Sequence, residues 1–187
     1  MDLMVKLFKI INLNSSLQPN RTKSVDLICN FMKKVETFDD FESMDQESRY
    51  LVHKAKEAAQ QAYAPYSKFH VGAALILEDG TLVTGSNQEN ASYPLCMCGE
   101  RVALYAAVSL NPGKRIEKLA VVAHRKNQKE LVAATPCGAC RQVMHEFEER
   151  QKKSFSLVLY GPLNKWYVFP SASDLLPMAF DKDSLGR

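Results

Sequence analysis

Two short stretches constrain this chain more than any other part of it. Cys96-Met97-Cys98-Gly99-Glu100-Arg101 and Pro136-Cys137-Gly138-Ala139-Cys140-Arg141 gather four of the five cysteines into two tight clusters and leave Cys29 alone. An odd number of cysteines, clustered in this way, points to metal binding in a reducing compartment rather than to a disulfide framework. Any fold that satisfies both stretches must bring two segments distant in sequence onto one cation.

Both clusters fall where a loop or strand gives way to a helical pattern, so their thiols sit at helix N-termini. Unpaired N–H groups and the positive end of the helix dipole favour thiolate there. Pro136 suits a helix start, Gly138 permits close approach of the backbone, and Arg101 and Arg141 are placed to donate to thiolates. Cys98, Cys137 and Cys140 supply three ligands and leave one position of a tetrahedral zinc free for water, which distinguishes a catalytic site from a structural one. Cys96 is the nearby residue that would close the site as a fourth ligand, and in that alternative Glu100 has no chemical task. Glu100 itself reads in two ways: as a first-turn acid that complements the dipole, or as a carboxylate that takes a proton from activated water and hands it to a substrate. The adjacent cysteines favour the second.

The periodicity around these stretches alternates between helix and strand. From Asp45, the face formed by Leu51, Ala55, Ala58, Ala59 and Ala62 marks a helix, capped by Asp45 or Ser43 and ended before Pro65. Residues 69–77 read as a strand covered on both faces, and Asp79-Gly80 as a hairpin turn into residues 81–86. A helix spans 99–110, a buried strand 119–123, and a second helix follows Pro136 with Val143, Met144 and Phe147 inward. Strands at 155–160 and 166–169 and a short helix from Ser173 or Asp174 to Phe180 complete the chain. These elements predict an α/β fold: a three-layer α-β-α sandwich around a mixed five-stranded sheet. Residues 45–187 form the catalytic domain in this reading. Residues 1–44 lack clean periodicity and read as an extension, partly helical over 24–35, in which Cys29 is a buried inert thiol. His53, His70, His124 and His145 lie outside the cysteine motif and read as surface or packing residues, His70 being nearest the site through Phe69 and Val71.

Composition narrows the function classes. Apolar residues make up 46% and charged residues 24%, as in an ordinary globular domain. A net charge of +3, with cations scattered among acids, gives no basic stripe for nucleic acid. No apolar run reaches the roughly 18 residues of a membrane span. Lys6 and Lys9 interrupt the apolar residues 3–13, Asp2 is acidic and Arg21 is the sole arginine before residue 40, so neither a secretory nor a mitochondrial leader is expected, and the expected location is cytoplasmic.

Over residues 46–180 the chain resembles the small homotetrameric cytidine deaminases. The resemblance rests on Phe69-x-Val71-Gly72-Ala73-Ala74, Asn87-x-Glu89-Asn90-Ala91, Tyr93-Pro94, Cys98-x-Glu100-Arg101, Pro136-Cys137-Gly138-Ala139-Cys140-Arg141-Gln142 and Leu175-Leu176-Pro177-x-x-Phe180. It implies the cytidine deaminase fold and zinc-dependent hydrolysis of cytidine and 2′-deoxycytidine to uridine and 2′-deoxyuridine plus ammonia, a pyrimidine salvage reaction. It implies one Zn²⁺ per subunit on Cys98, Cys137 and Cys140, with Glu100 carrying protons to N3 of the base and then to the departing ammonia. Asn87 and Glu89 would hold the ribose 3′-hydroxyl, Phe69 would contact the base, and Ala91 counts among the substrate contacts. Tyr93 lies near the subunit boundary by the same resemblance, and Phe180 enters a neighbouring subunit's site. The implied partners are a pyrimidine nucleoside and three further copies of the chain, with no nucleic acid and no membrane. The chain departs from the pattern at Gly99, where alanine is usual and glycine loosens the helix start, and at Cys96. Rival readings are a deaminase of a nucleoside antibiotic, which shares the zinc motif but not the ribose loop, a non-enzymatic zinc module, and a polynucleotide deaminase. The last needs a basic, stacking-rich groove, which a charge of +3 and one tryptophan do not supply.

Overall fold

The computed structural model describes residues 35–128 and 130–186. Six strands run in the order β1 (Glu36–Phe38), β2 (Phe69–Leu77), β3 (Leu82–Ser86), β4 (Ile116–Arg125), β5 (Ser156–Tyr160) and β6 (Trp166–Phe169), with three α-helices among the described residues, α1 (Gln46–Ala59), α2 (Gly99–Leu110) and α3 (Gly138–Gln151). The apolar run within β4 dictates the centre of the sheet. Leu119 to Ala123 are buried on both faces, which only an interior strand allows. β4 pairs antiparallel with β2 and parallel with β5, giving the sheet order β1-β6-β5-β4-β2-β3. The β2–β3 hairpin turns at Asp79-Gly80, where Gly80 has φ +83° and glycine meets the turn's conformational demand.

Side chains along a strand alternate between faces, and the two faces bury different helices. Ala73, Leu75, Leu119, Val121, Leu157 and Leu159 pack with Ala103, Leu104 and Ala107 of α2 and Met144 and Phe147 of α3. Ala74, Ala120, Val122, Val158 and Val168 pack with Leu51, Val52 and Ala55 of α1. The expected three-layer α-β-α sandwich is thus present. Close seating of α1 depends on Gly72, where a Cβ would stand 1.9 Å from the Ala55 carbonyl oxygen.

Two expectations need correction. The sheet has six strands, not five, because Glu36–Phe38 pairs antiparallel with β6; three residues joined through backbone bonds carry too little alternation to be read as a strand. The C-terminal helix expected to reach Phe180 is a 3₁₀ turn over Ala172–Leu175. Leu176, with φ −138° and ψ 71°, leaves the helical region ahead of Pro177, as a residue before proline tends to do. The expected helical stretch at 24–35 lies almost wholly, and Cys29 and the rest of residues 1–34 wholly, outside the described residues. No helix among the described residues is long and apolar enough to cross a membrane.

Candidate active site

The site is built from two helix starts on one face of the sheet. Cys98 is the N-cap of α2 and Cys137 the N-cap of α3, and neither makes a side-chain capping bond. Both sulfurs are therefore free to face each other, while Cys140, one turn into α3, is buried beneath them. The Cys98 and Cys137 sulfurs are 3.9 Å apart and those of Cys137 and Cys140 3.5 Å, and all three lie within 4.8 Å of one another. Tetrahedral zinc with Zn–S of about 2.3 Å would set its sulfurs about 3.8 Å apart, so the cluster fits that ion.

Electrostatics supports the same fit. Contact with Cys140, aided by the Arg101 guanidinium, draws the Cys98 thiol down to about 5 against the opposing effect of burial; Arg101 Nη2 donates to its sulfur at 3.8 Å. The contact with Cys98, together with burial and the Glu100 carboxylate, pushes Cys140 up. Three thiols this close do not all ionise without a cation among them. Among the described residues, this is the cluster of metal-ligating type.

Glu100, at the second position of α2, is 4% exposed, and its Oε2 has no hydrogen-bond partner among the described residues. Burial, with the negative charge of Cys98 adding to it, pushes its carboxyl above the usual range. It shares a cavity of about 440 Å³ with Phe69, Val71, Asn87, Glu89, Cys98, Thr135 and Cys137. A protonatable group of this kind beside a metal cluster, at the wall of a ligand-sized cavity, is equipped for acid–base work. Gly99 lies between ligand and carboxylate, where a Cβ would come within 3.0 Å of the Val71 carbonyl oxygen. Its small size lets the α2 start seat on β2, an aspect not visible when only its helix propensity is weighed.

Apart from Cys140, buried beneath the other two sulfurs, the sequence-derived residues fall into two groups. Phe69, Asn87, Glu89, Cys98, Glu100 and Cys137 line the cavity. Ala91, Tyr93 and Phe180 do not, and all three side chains are exposed, with Tyr93 at 68% and Phe180 at 59%. Tyr93 meets Tyr66 edge-on at 6.0 Å, and both backbone polar groups of Phe180 bond to the Gln142 side chain. Asn87 accepts from the Val71 N–H (2.8 Å) and donates to the Phe69 carbonyl (2.9 Å), continuing the β2 pairing by side chain. Glu89 accepts from the Tyr66 and Ser67 N–H groups at 2.9 and 3.2 Å. The Ser67 side chain first, and then these two amide bonds, lower its pKa against the opposing effect of burial. Both residues thus organise the cavity mouth as well as facing it.

Cys96 lines the cavity but stands apart from the sulfur cluster. Its sulfur accepts from the Asn90 N–H at 3.2 Å and faces the Asn90 carbonyl at 3.6 Å. Arg141 was expected to donate to thiolates, and instead its bonds go to Pro136, Leu175 and Thr135. His70 lies on the α1 side of the sheet against His124, ring centroids 5.2 Å apart, and away from the cavity. Thr135 and Glu148 are among the residues that the sequence reading does not single out. Thr135 lines the cavity directly before the Pro-Cys step. Glu148 is a buried carboxylate with five hydrogen bonds, and its place four residues after the inward Met144 was the available signal.

Comparison with known proteins sets this geometry in context. A family model described as the cytidine and deoxycytidylate deaminase zinc-binding region matches residues 45–155. The chain is 42% identical over 135 residues to a cytidine deaminase of Sporosarcina psychrophila, covering 72% of this chain and 92% of that protein. It is 43% identical over 136 residues to a cytidine deaminase of Halalkalibacterium halodurans, covering 72% and 95%. The crystal structure of cytidine deaminase from Burkholderia pseudomallei superposes with a TM-score of 0.59 at 44% identity, covering 73% of this chain and all of that one.

Proposed function

Because the chain belongs to the cytidine and deoxycytidylate deaminase family, we propose that it hydrolyses cytidine and 2′-deoxycytidine to uridine and 2′-deoxyuridine with release of ammonia. The observation that carries this reading is the buried Glu100 carboxylate, one oxygen unpartnered, in the wall of the cavity that the sulfur cluster borders. Cys98, Cys137 and Cys140 would hold Zn²⁺, one ion per subunit. When bound, zinc supplies the Lewis acidity that makes water a nucleophile at neutral pH.

The chain's own residues supply the rest. Glu100 takes a proton from the attacking water, delivers it to N3 of the base, and serves the departing amino group in the same way; burial pushes its carboxyl above the usual range, which favours its holding a proton between those steps. Arg101 offsets the charge of the sulfurs through Cys98. Phe69 and Val71 give the base an apolar wall, and Asn87 and Glu89 meet the ribose 3′-hydroxyl, a role compatible with the Glu89 oxygen not engaged by the Tyr66 and Ser67 amides. Among the described residues no lysine or arginine lines the cavity, which favours an uncharged nucleoside over a phosphorylated substrate.

Ala91, Tyr93 and Phe180 are assigned to substrate sites completed between copies of the chain, in a homotetramer. Exposed Tyr93, Leu95, Met178 and Phe180 support that reading, since large apolar groups left in water favour association. Residues 45–187 are the catalytic domain, with Glu36–Phe38 added to its sheet and residues before them an extension. A reducing cytoplasmic setting suits thiol ligands that must stay unoxidised, and deamination of free nucleosides suits a pyrimidine salvage role. The test is ammonia release from cytidine, 2′-deoxycytidine, dCMP and single-stranded DNA. Turnover of the two nucleosides is expected, and turnover of DNA without either nucleoside would overturn the assignment.

A further inference from the structure

Arg141 follows the third sulfur in sequence, yet its hydrogen bonds go to none of the three. Its guanidinium spans two separate segments: Nε donates to the Pro136 carbonyl at 2.8 Å, Nη2 to the Thr135 hydroxyl at 3.4 Å, and Nη1 to the Leu175 carbonyl at 3.1 Å. We propose that Arg141 is a positioning residue for the deamination reaction, bracketing the Thr135–Cys137 turn to the C-terminal segment and so fixing one cavity wall and one sulfur at once. The inference rests on the zinc deaminase reading given above.

The turn needs such a bracket. Residues 132–137 have no regular secondary structure, yet Thr135 and Cys137 both border the cavity. The backbone is tied to the sheet at Ala134, whose N–H donates to the Tyr160 carbonyl at 3.2 Å, and to the helix where the Arg141 N–H meets the Cys137 carbonyl at 3.0 Å. Between those ties the guanidinium takes the Pro136 carbonyl and the Thr135 hydroxyl. Cys137 makes no capping bond of its own, so its side chain contributes no hold on the helix start.

The far end of the bracket is itself anchored. Glu148, further along the same helix, accepts from the Phe155 and Ala172 N–H groups (2.9 Å each), the Ser171 hydroxyl (2.7 Å), the Ser173 N–H (3.1 Å) and the Ser173 hydroxyl. That carboxylate holds the turn Ala172–Leu175, and Leu175 then presents a fixed carbonyl to Arg141. Gln142 grips the Phe180 backbone in both directions, so consecutive residues of the metal-bearing helix hold the tail at two points. Three acceptors in different directions suit a planar fork with five N–H donors and not an ammonium group.

The experiment uses the full chain loaded with zinc, and compares Arg141→Lys, Arg141→Ala and Thr135→Val with the unaltered protein. Zinc transfer to a chromophoric chelator, kcat and KM for cytidine, and the thermal midpoint are each measured. Loss of an outer support around a metal site costs about 10–100-fold in affinity or activity, so zinc release about ten times faster is expected for both Arg141 variants, with kcat reduced more than KM is raised. Millimolar methylguanidinium is expected to slow zinc release and raise kcat in Arg141→Ala but not in Arg141→Lys. Thr135→Val should show a smaller change in the same direction. A support of the fold alone would lower the thermal midpoint and be indifferent to the added cation. Zinc release and kcat within twofold of the unaltered protein in Arg141→Lys would overturn the proposal, whatever becomes of Arg141→Ala. If the unaltered protein neither retains zinc nor deaminates cytidine, the functional reading fails instead, and the two failures are distinct.

Discussion

The start of α1 and the starts of α2 and α3 solve the same problem in opposite ways. Every helix opens with N–H groups that lack intrahelical partners. At α1, Asp45 accepts from the Ser48 N–H at 2.9 Å and receives Lys118 Nζ at 3.1 Å from β4. At α2 and α3 the corresponding residue is a cysteine that makes no capping bond. The stable choice stands on the face remote from the cavity, and the open choice stands where the sulfurs gather. Stability has been left unclaimed at the two helix starts whose side chains the proposed function assigns to the metal.

The two cysteine starts also differ from each other by one residue. Counting from the N-cap, α2 carries Glu100 second and Arg101 third, whereas α3 carries Ala139 second, Cys140 third and Arg141 fourth. The third position reaches back toward the N-cap sulfur, which is why Arg101 meets Cys98 and Cys140 meets Cys137. About 100° further round the helix, Arg141 meets backbone instead. In the proposed mechanism one start supplies a ligand and the proton carrier, the other two ligands.

Substitutions can break that contrast at its strongest point first. Glu100→Gln keeps the shape of the second position but removes its proton chemistry, so kcat for cytidine is expected to fall by about 10²-fold or more with zinc content by atomic absorption unchanged. Arg101→Ala removes the donor to Cys98, and weakening of zinc retention by about 10-fold is expected in a chelator titration. Asp45→Ala tests the capped start, with an expected loss of about 1 kcal/mol in urea unfolding and unchanged kcat.

The Asp45 effect has a pH signature. Burial pushes this carboxyl up, but the Ser48 hydroxyl and N–H and the Lys118 ammonium outweigh it and hold the group at about 2. Its folded pKa lies below its unfolded value, so its contribution is present above about pH 4 and is lost as pH falls through about 2. The stability gap between Asp45→Ala and the unaltered protein should close over that window. The smallest effect belongs to Cys96→Ala, for which zinc content and kcat are expected to stay within experimental error, because its sulfur engages Asn90.

The legible parts of the molecule were those fixed by local geometry. Cys98, Glu100, Cys137 and Cys140 could be placed from spacing, since their positions on two helix starts follow from where the helical pattern begins. α1 and the five longer strands followed from periodicity for the same reason. What stayed hidden depends on distant partners. Glu36–Phe38 becomes a strand through β6, the tail through Glu148 and Gln142, and the Asn87 and Glu89 side chains show their grip on residues 66–71 only when folded. Arg141 stands a single step of helical register beyond the position from which Arg101 reaches its thiol.

The most direct measurement is sulfur and zinc X-ray absorption on the purified full chain, paired with zinc stoichiometry. One zinc per chain is expected, bound by three sulfurs and one lighter atom that is exchanged when a cytidine analogue is added. Four sulfurs around the metal, unchanged by the analogue, would contradict an open catalytic centre built from Cys98, Cys137 and Cys140.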